Sequence, residues 1–144
     1  MRIDELARNR SKLENLTGFI YLDPPHELAA ISLRFEGNNC CFLSVECDSD
    51  SLNWAPAATP DVKEISLDSI FPMLRPAKGL LAWAWEMTNH QGYFDALQIE
   101  LCDASLKNGF TVQFKAVASK IDVFEVVQLR VSPVNRLSID ELGL

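Results

Sequence analysis

The stretch Ala29-Ala30-Ile31-Ser32-Leu33-Arg34-Phe35-Glu36-Gly37-Asn38-Asn39-Cys40-Cys41-Phe42-Leu43-Ser44-Val45-Glu46-Cys47 decides the fold. Ala29, Ile31, Leu33 and Phe35 alternate with Ala30, Ser32, Arg34 and Glu36, and Cys41, Leu43, Val45 and Cys47 alternate with Phe42, Ser44 and Glu46. A period of two sends successive side chains to opposite faces of a strand, so each run reads as a strand with one apolar and one wetter face. Gly37-Asn38-Asn39 between them supplies residues that tolerate the positive φ of a tight reversal. The unit is a β-hairpin.

Working outward, the pattern recurs. Leu81, Trp83, Trp85 and Met87 share one face of a predicted strand, Asn89-His90-Gln91-Gly92 makes a turn, and Leu97, Ile99 and Leu101 return against Ala96, Gln98 and Glu100. A third pair is predicted over residues 110–118 and 121–131. There Phe110, Val112 and Phe114 oppose Thr111, Gln113 and Lys115, Val123, Val127 and Leu129 continue the core set, and Ser132-Pro133 ends the strand. The first two hairpins align at a shift of 54, pairing Ile31 with Trp85, Leu33 with Met87, Leu43 with Leu97 and Val45 with Ile99. Equal turn length and alternation alone produce such agreement, so a duplication stays one of two readings.

On the N-terminal side the period changes. Ile3, Leu6, Leu13 and Leu16 fall on one helical face and Gly18 stops the run, which predicts a helix over residues 1–17 that packs its single stripe on a sheet. Residues 19–22 form a short apolar segment closed by Pro24-Pro25, residues 51–60 read as a loop with Trp54 as its anchor, and residues 62–67 add a short strand. Pro72 limits Leu67, Ile70, Phe71 and Leu74 to a turn of helix, and Ser138-Ile139-Asp140-Glu141 has capping-box spacing. The expectation is a single α+β domain: helix 1–17, a twisted, mainly antiparallel sheet of six to eight strands over 18–131 that curls toward a barrel, and a tail over 132–144.

Composition narrows the function. The chain has 144 residues, 48% hydrophobic and 23% charged, enough for one core and too apolar for a disordered chain. No apolar run approaches a membrane span. With 13 Lys and Arg against 20 Asp and Glu the net charge is −7, which disfavours nucleic acid and anionic membranes and suits a basic protein partner. Cys40, Cys41, Cys47 and Cys102 lack metal-ligand spacing and read as small buried hydrophobes, so neither a metal nor a cofactor is expected. The N-terminus has no apolar signal core, which points to the cytoplasm.

Candidate site residues gather at one turn. Asn89, His90, Gln91, Tyr93 and Asp95 offer a base, a carboxylate and polar donors, against the plain reading that Asn and Gly serve the reversal and the histidine is solvated. Glu46, Asp48 and Asp50 put carboxylates at a strand end, with Asp95, Glu100 and Asp103 expected to converge on the same region. They read as a docking charge or a hard-cation site, against protection of a strand edge. Trp54 is a candidate for exposed recognition, whereas Trp83 and Trp85 read as core, with a ligand slot or partner surface as the alternative.

Met87-Thr88-Asn89-x-Gln91-Gly92-Tyr93-x-Asp95-Ala96-Leu97-Gln98-Ile99-Glu100 resembles a small bacterial family of unknown function. Leu33-x-Phe35-x-Gly37, Leu43-x-Val45-x-Cys47-Asp48-x-Asp50 and Ala118-Ser119-x-Ile121-x-Val123 resemble its other recurrent pieces, so the likeness spans roughly residues 20–131. Cys40-Cys41 and the N-terminal helix lie outside that pattern. The resemblance implies a bacterial, cytoplasmic protein and no activity. Two functions remain: a non-enzymatic, possible immunity-type interaction module that uses the polar turn, the acidic strand end and Trp54, or a small hydrolase or lyase with His90 as base and Asp95 or Glu100 beside it. A third reading is a structural homo-oligomer formed through an edge strand or exposed Trp54.

Overall fold

The computed structural model describes residues 2–46, 49–56, 61–105, 109–127 and 130–137. A helix α1 (Ile3–Arg8) leads into β1 (Lys12–Tyr21), β2 (Leu28–Phe35), β3 (Asn39–Val45), β4 (Leu52–Asn53) and β5 (Val62–Ser66). A short helix α2 (Leu67–Ile70) and a 3-10 turn (Pro72–Leu74) follow. Then come β6 (Gly79–Thr88), β7 (Phe94–Cys102), β8 (Gly109–Val117), β9 (Lys120–Val127) and β10 (Arg130–Pro133). The ten strands of the described residues form one antiparallel sheet ordered β10-β9-β8-β7-β6-β1-β2-β3-β4, with β5 also on β1. Strand outweighs helix by a wide margin. The three expected hairpins and the short strand expected at 62–67 are all present, and the strand count exceeds six to eight because β1, β4 and β10 join them.

The sheet folds over at a narrow corner. β1 meets β6 through only Lys12↔Leu80 and Leu13↔Gly79, while its other end pairs with β5. β2 and β3 then face β9, and β4 faces β7. Ile31, Leu33, Phe35 and Leu43 from one half meet Leu97, Ile99, Val112 and Phe114 from the other in a single core, all fully buried. Period-two burial therefore does what the hairpin reading requires: each strand gives one face to the core. Across the far end, Tyr21 Oη donates to the Ser119 carbonyl at 2.7 Å, and Glu27 pairs with Arg136 at 3.1 Å and Lys120 at 3.8 Å.

Two β-bulges account for the main departures from the expected pattern. The helix predicted over 1–17 ends at Arg8, Arg10 takes φ 50°, and the chain continues as β1. Leu13 pairs with Phe35 and Asn15 with Arg34, so Glu14 is an extra residue; the three-residue step from Leu13 to Leu16 is a strand step of two plus a bulge, which imitates helical spacing. Gly18 does not stop a helix: it sits mid-strand, where an added Cβ would lie 3.0 Å from both Leu28 and Leu67 side chains.

The second bulge is in β6. Leu81 opposes Leu101 but Trp83 opposes Glu100, so Ala82 is the extra residue and every following side chain changes face. Ala84 and Glu86 take the face of Ile99 and Leu97, Ala84 half-buried and Glu86 exposed where it lines the neighbouring cavity, and Trp83, Trp85 and Met87 take the outer face. The expected common face of Leu81, Trp83, Trp85 and Met87 is thereby broken. The 54-residue alignment keeps burial for Leu43 with Leu97 and Val45 with Ile99 but loses it for Ile31 with Trp85 and Leu33 with Met87. Val127, expected in the core, is exposed because the β8 ladder ends one residue earlier, at Thr111↔Val126. Leu129, Cys47 and the capping-box turn lie outside the described residues.

Candidate functional site

The Ala82 bulge creates the molecule's most exposed aromatic feature. Trp83 is 57% exposed and Trp85 41%, and their rings stack at 6.0 Å and 16°. Met87 follows them on the same face, with its sulfur accepting from Gln113 Nε2 at 3.3 Å, and Tyr93 is half exposed at the turn beyond. Glu100, Gln98 and Ala96 lie opposite them on β7. The result is an apolar stripe with a polar flank that carries Glu100 opposite Trp83 and Lys115 beyond Ala96.

The same strand carries a second feature. Beyond Leu81, β6 pairs with β7 on one side and with no strand on the other among the described residues. β3 likewise pairs with β4 only at Ser44 and Val45. Between these two edges lies a cavity of about 560 Å³, lined among others by Arg2, Cys41, Phe42, Trp54, Ala84 and Glu86. α1 packs beside the first half of β6, and a second groove of about 350 Å³ runs between them along Arg8, Arg10 and Trp83. Trp54 closes the inner side: its ring stacks on Phe94 at 5.9 Å and its indole N–H donates to the Glu86 carboxylate. Arg2 and Arg8 both pair with Asp4, whereas Glu86 pairs with no basic side chain among the described residues.

The residues singled out from the sequence divide. Asn89 holds the turn, its Oδ1 accepting from the Gln91 amide at 2.9 Å and the Tyr93 amide at 3.1 Å, which is Asx-turn work. His90 and Gln91 are exposed, and His90 makes no ion pair with Asp95 or Glu100, so the base-carboxylate contact required for hydrolysis is not formed. Asp50 bonds the Ala118 amide at 2.7 Å. Asp48 lies outside the described residues. Asp95 and Asp103 flank opposite ends of β7, eight residues or about 26 Å of strand apart, so the acidic side chains do not converge. Among the described residues no three His, Cys, Asp or Glu side chains cluster as metal ligands.

Cys40 and Cys41 take opposite sides of β3. Cys40 is exposed, with its sulfur 3.1 Å from Ser32 Oγ, and Cys41 is buried, which together with the neighbouring Cys40 pushes its thiol up. Sequence reasoning missed Glu86 and the outward turn of Trp83 and Trp85. No local signal marks the bulge, since Ala82 and Ala84 are merely small enough to accept it and the more apolar set wins any pattern test.

Fold and site together define an antiparallel β domain with an exposed aromatic stripe beside an unpaired strand edge. A family of unknown function, DUF6334, has a model that matches residues 1–130, and the chain belongs to that family. No curated protein and no solved structure matches the chain. No helix among the described residues is long and apolar enough to cross a membrane.

Proposed function

We propose that the chain is a non-enzymatic interaction module that docks a protein partner on the outer face of β6. The observation that carries this reading is the stacked, exposed Trp83-Trp85 pair. Tryptophan at such exposure is uncommon without a use, because aromatic anchors dominate binding energy where a partner covers them. The uncovered fractions of the two rings amount to about one whole tryptophan, about 150–250 Å². Covering that area at about 25 cal/mol per Å² is worth on the order of 5 kcal/mol before association costs. This is an anchor and not a whole interface, so the partner must also use neighbouring groups. The net charge of −7 favours a basic partner, whose charges would meet Glu100 opposite Trp83 and avoid the Arg8 and Arg10 side of the stripe, and occlusion of a basic partner in an immunity-type role is one form of this activity.

The test is capture by the tagged chain in parallel with a Trp83→Ser/Trp85→Ser variant of unchanged circular dichroism. A partner bound by the parent, lost by the variant and reconstituted as a complex from purified components supports the reading. Its failure is an identical set of captured proteins for both.

A further inference from the structure

Resting on the interaction reading, the geometry of β6 also specifies the partner's chemistry. We infer that the partner supplies an extended segment of alternating basic and apolar residues that adds as a strand to the free edge of β6 along residues 85–88. Its basic side chains enter the seam cavity toward Glu86, and its apolar ones lie on the Trp83-Trp85-Met87 face.

Three observations combine. The first is the unpaired edge itself. A strand edge presents a row of N–H and C=O groups that template another strand, and proteins blunt such edges by shortness, proline or cover. The two ends of the sheet are treated in this way, β4 being two residues long and β10 ending at Pro133, whereas β3 shows its own edge across the cavity where β4 does not reach. β6 is ten residues long, and its second half runs past α1 with no strand beside it among the described residues. The second is parity. Because Ala82 is a bulge, Glu86 faces the cavity while Trp85 and Met87 face outward, so one added strand meets a carboxylate on one side and an aromatic stripe on the other. The third is charge. Asp4 at the cavity mouth is already matched by Arg2 and Arg8, leaving Glu86, held by the Trp54 indole, as the carboxylate without a cation among the described residues. An Arg or Lys side chain placed there gains a charge-assisted hydrogen bond and a tryptophan face.

Strand addition takes affinity from main-chain bonds and specificity from alternate side-chain pockets. The probe is therefore a capped heptapeptide, Thr-Arg-Val-Arg-Val-Arg-Thr, titrated into the full chain and followed by tryptophan emission and by amide exchange. Protection at the amides of residues 85–88 is expected, with affinity lowered about tenfold or more by Glu86→Gln. N-methylation at alternate peptide residues should abolish binding in one parity and spare it in the other, because only every second amide faces the edge. Equal binding by a peptide of the same composition with its arginines in one block, indifference to Glu86→Gln, or indifference to both N-methylation patterns overturns the inference. So does self-association of the chain that Trp85→Ser abolishes, which would make a second copy the occupant. A captured partner that needs Trp83 and Trp85 but binds through a folded surface also overturns strand addition while leaving the interaction reading in place. Absence of any tryptophan-dependent partner defeats that reading instead.

Discussion

The Asp50 carboxylate accepts a 2.7 Å hydrogen bond from the Ala118 amide, tying the β3–β4 loop to the β8–β9 turn across 68 residues of chain. Ala118 sits at φ 52°, so the turn is held in a left-handed conformation that alanine adopts at a cost. Asp50 therefore serves the joint between the two halves of the sheet. Asp50→Ala should lower unfolding free energy by about 1 kcal/mol, and Asp50→Asn, which keeps an acceptor oxygen, by less. Urea titration of the three proteins checks the order; an unchanged midpoint for Asp50→Ala would count against the bond.

The corner between β1 and β6 depends on Gly79. It has φ 117°, and a Cβ there would lie 2.4 Å from the Cys102 carbonyl oxygen, a backbone atom that cannot move aside. Gly92 also has a positive φ, 88°, but open space around it. Gly79→Ala should cost at least about 2 kcal/mol and Gly92→Ala about 1 kcal/mol, since only the first adds a clash to the backbone strain. Thermal unfolding of the pair separates them, and equal losses would mean the corner is looser than the geometry states.

These two joints mark the limit of what the sequence made legible. The hairpins were readable because alternation and turn residues agree locally: Gly37 and Asn38 take the positive φ expected of them, and Ile31, Leu33, Phe35, Leu43 and Val45 are buried as a set. The bulges were not, because one extra residue leaves composition untouched and moves every later side chain to the other face. Glu14 turned a strand into an apparent helix, and Ala82 sent two tryptophans to the surface. The candidate turn was legible as a turn, through Asn89, but its exposed histidine lacks the partner that chemistry needs. The site emerged one strand earlier, from register and not from residue type.

The outward tryptophans and the inward leucine of β6 should respond oppositely to truncation. Trp83→Ser/Trp85→Ser removes surface side chains and should cost no more than about 1 kcal/mol, whereas Leu81→Ala, fully buried before the bulge, should cost about 2–5 kcal/mol. Acrylamide quenching of the parent should be strong and fall sharply in the double variant, which retains half-buried Trp54. A large stability loss in the double variant would return these residues to the core.

The adjacent thiols Cys40 and Cys41 should behave as different chemical groups. Iodoacetamide at neutral pH should label Cys40 in the folded chain and reach Cys41 only after urea, because the first is exposed and the second lies against the core. Burial, reinforced by Cys40, raises the folded Cys41 thiol above its ordinary value, so its neutral form is the one the fold favours. Below the ordinary thiol range the group is neutral in both folded and unfolded chains and its contribution to stability is fully present. As pH rises through the ordinary value the unfolded chain loses the proton first, and the contribution is lost progressively until the folded thiol ionises as well. Unfolding free energy should therefore fall with pH across the alkaline range, and the slope should flatten in Cys41→Ala. Peptide mapping by mass spectrometry reads the labelling order, and equal modification of both cysteines in the folded chain would place Cys41 at the surface.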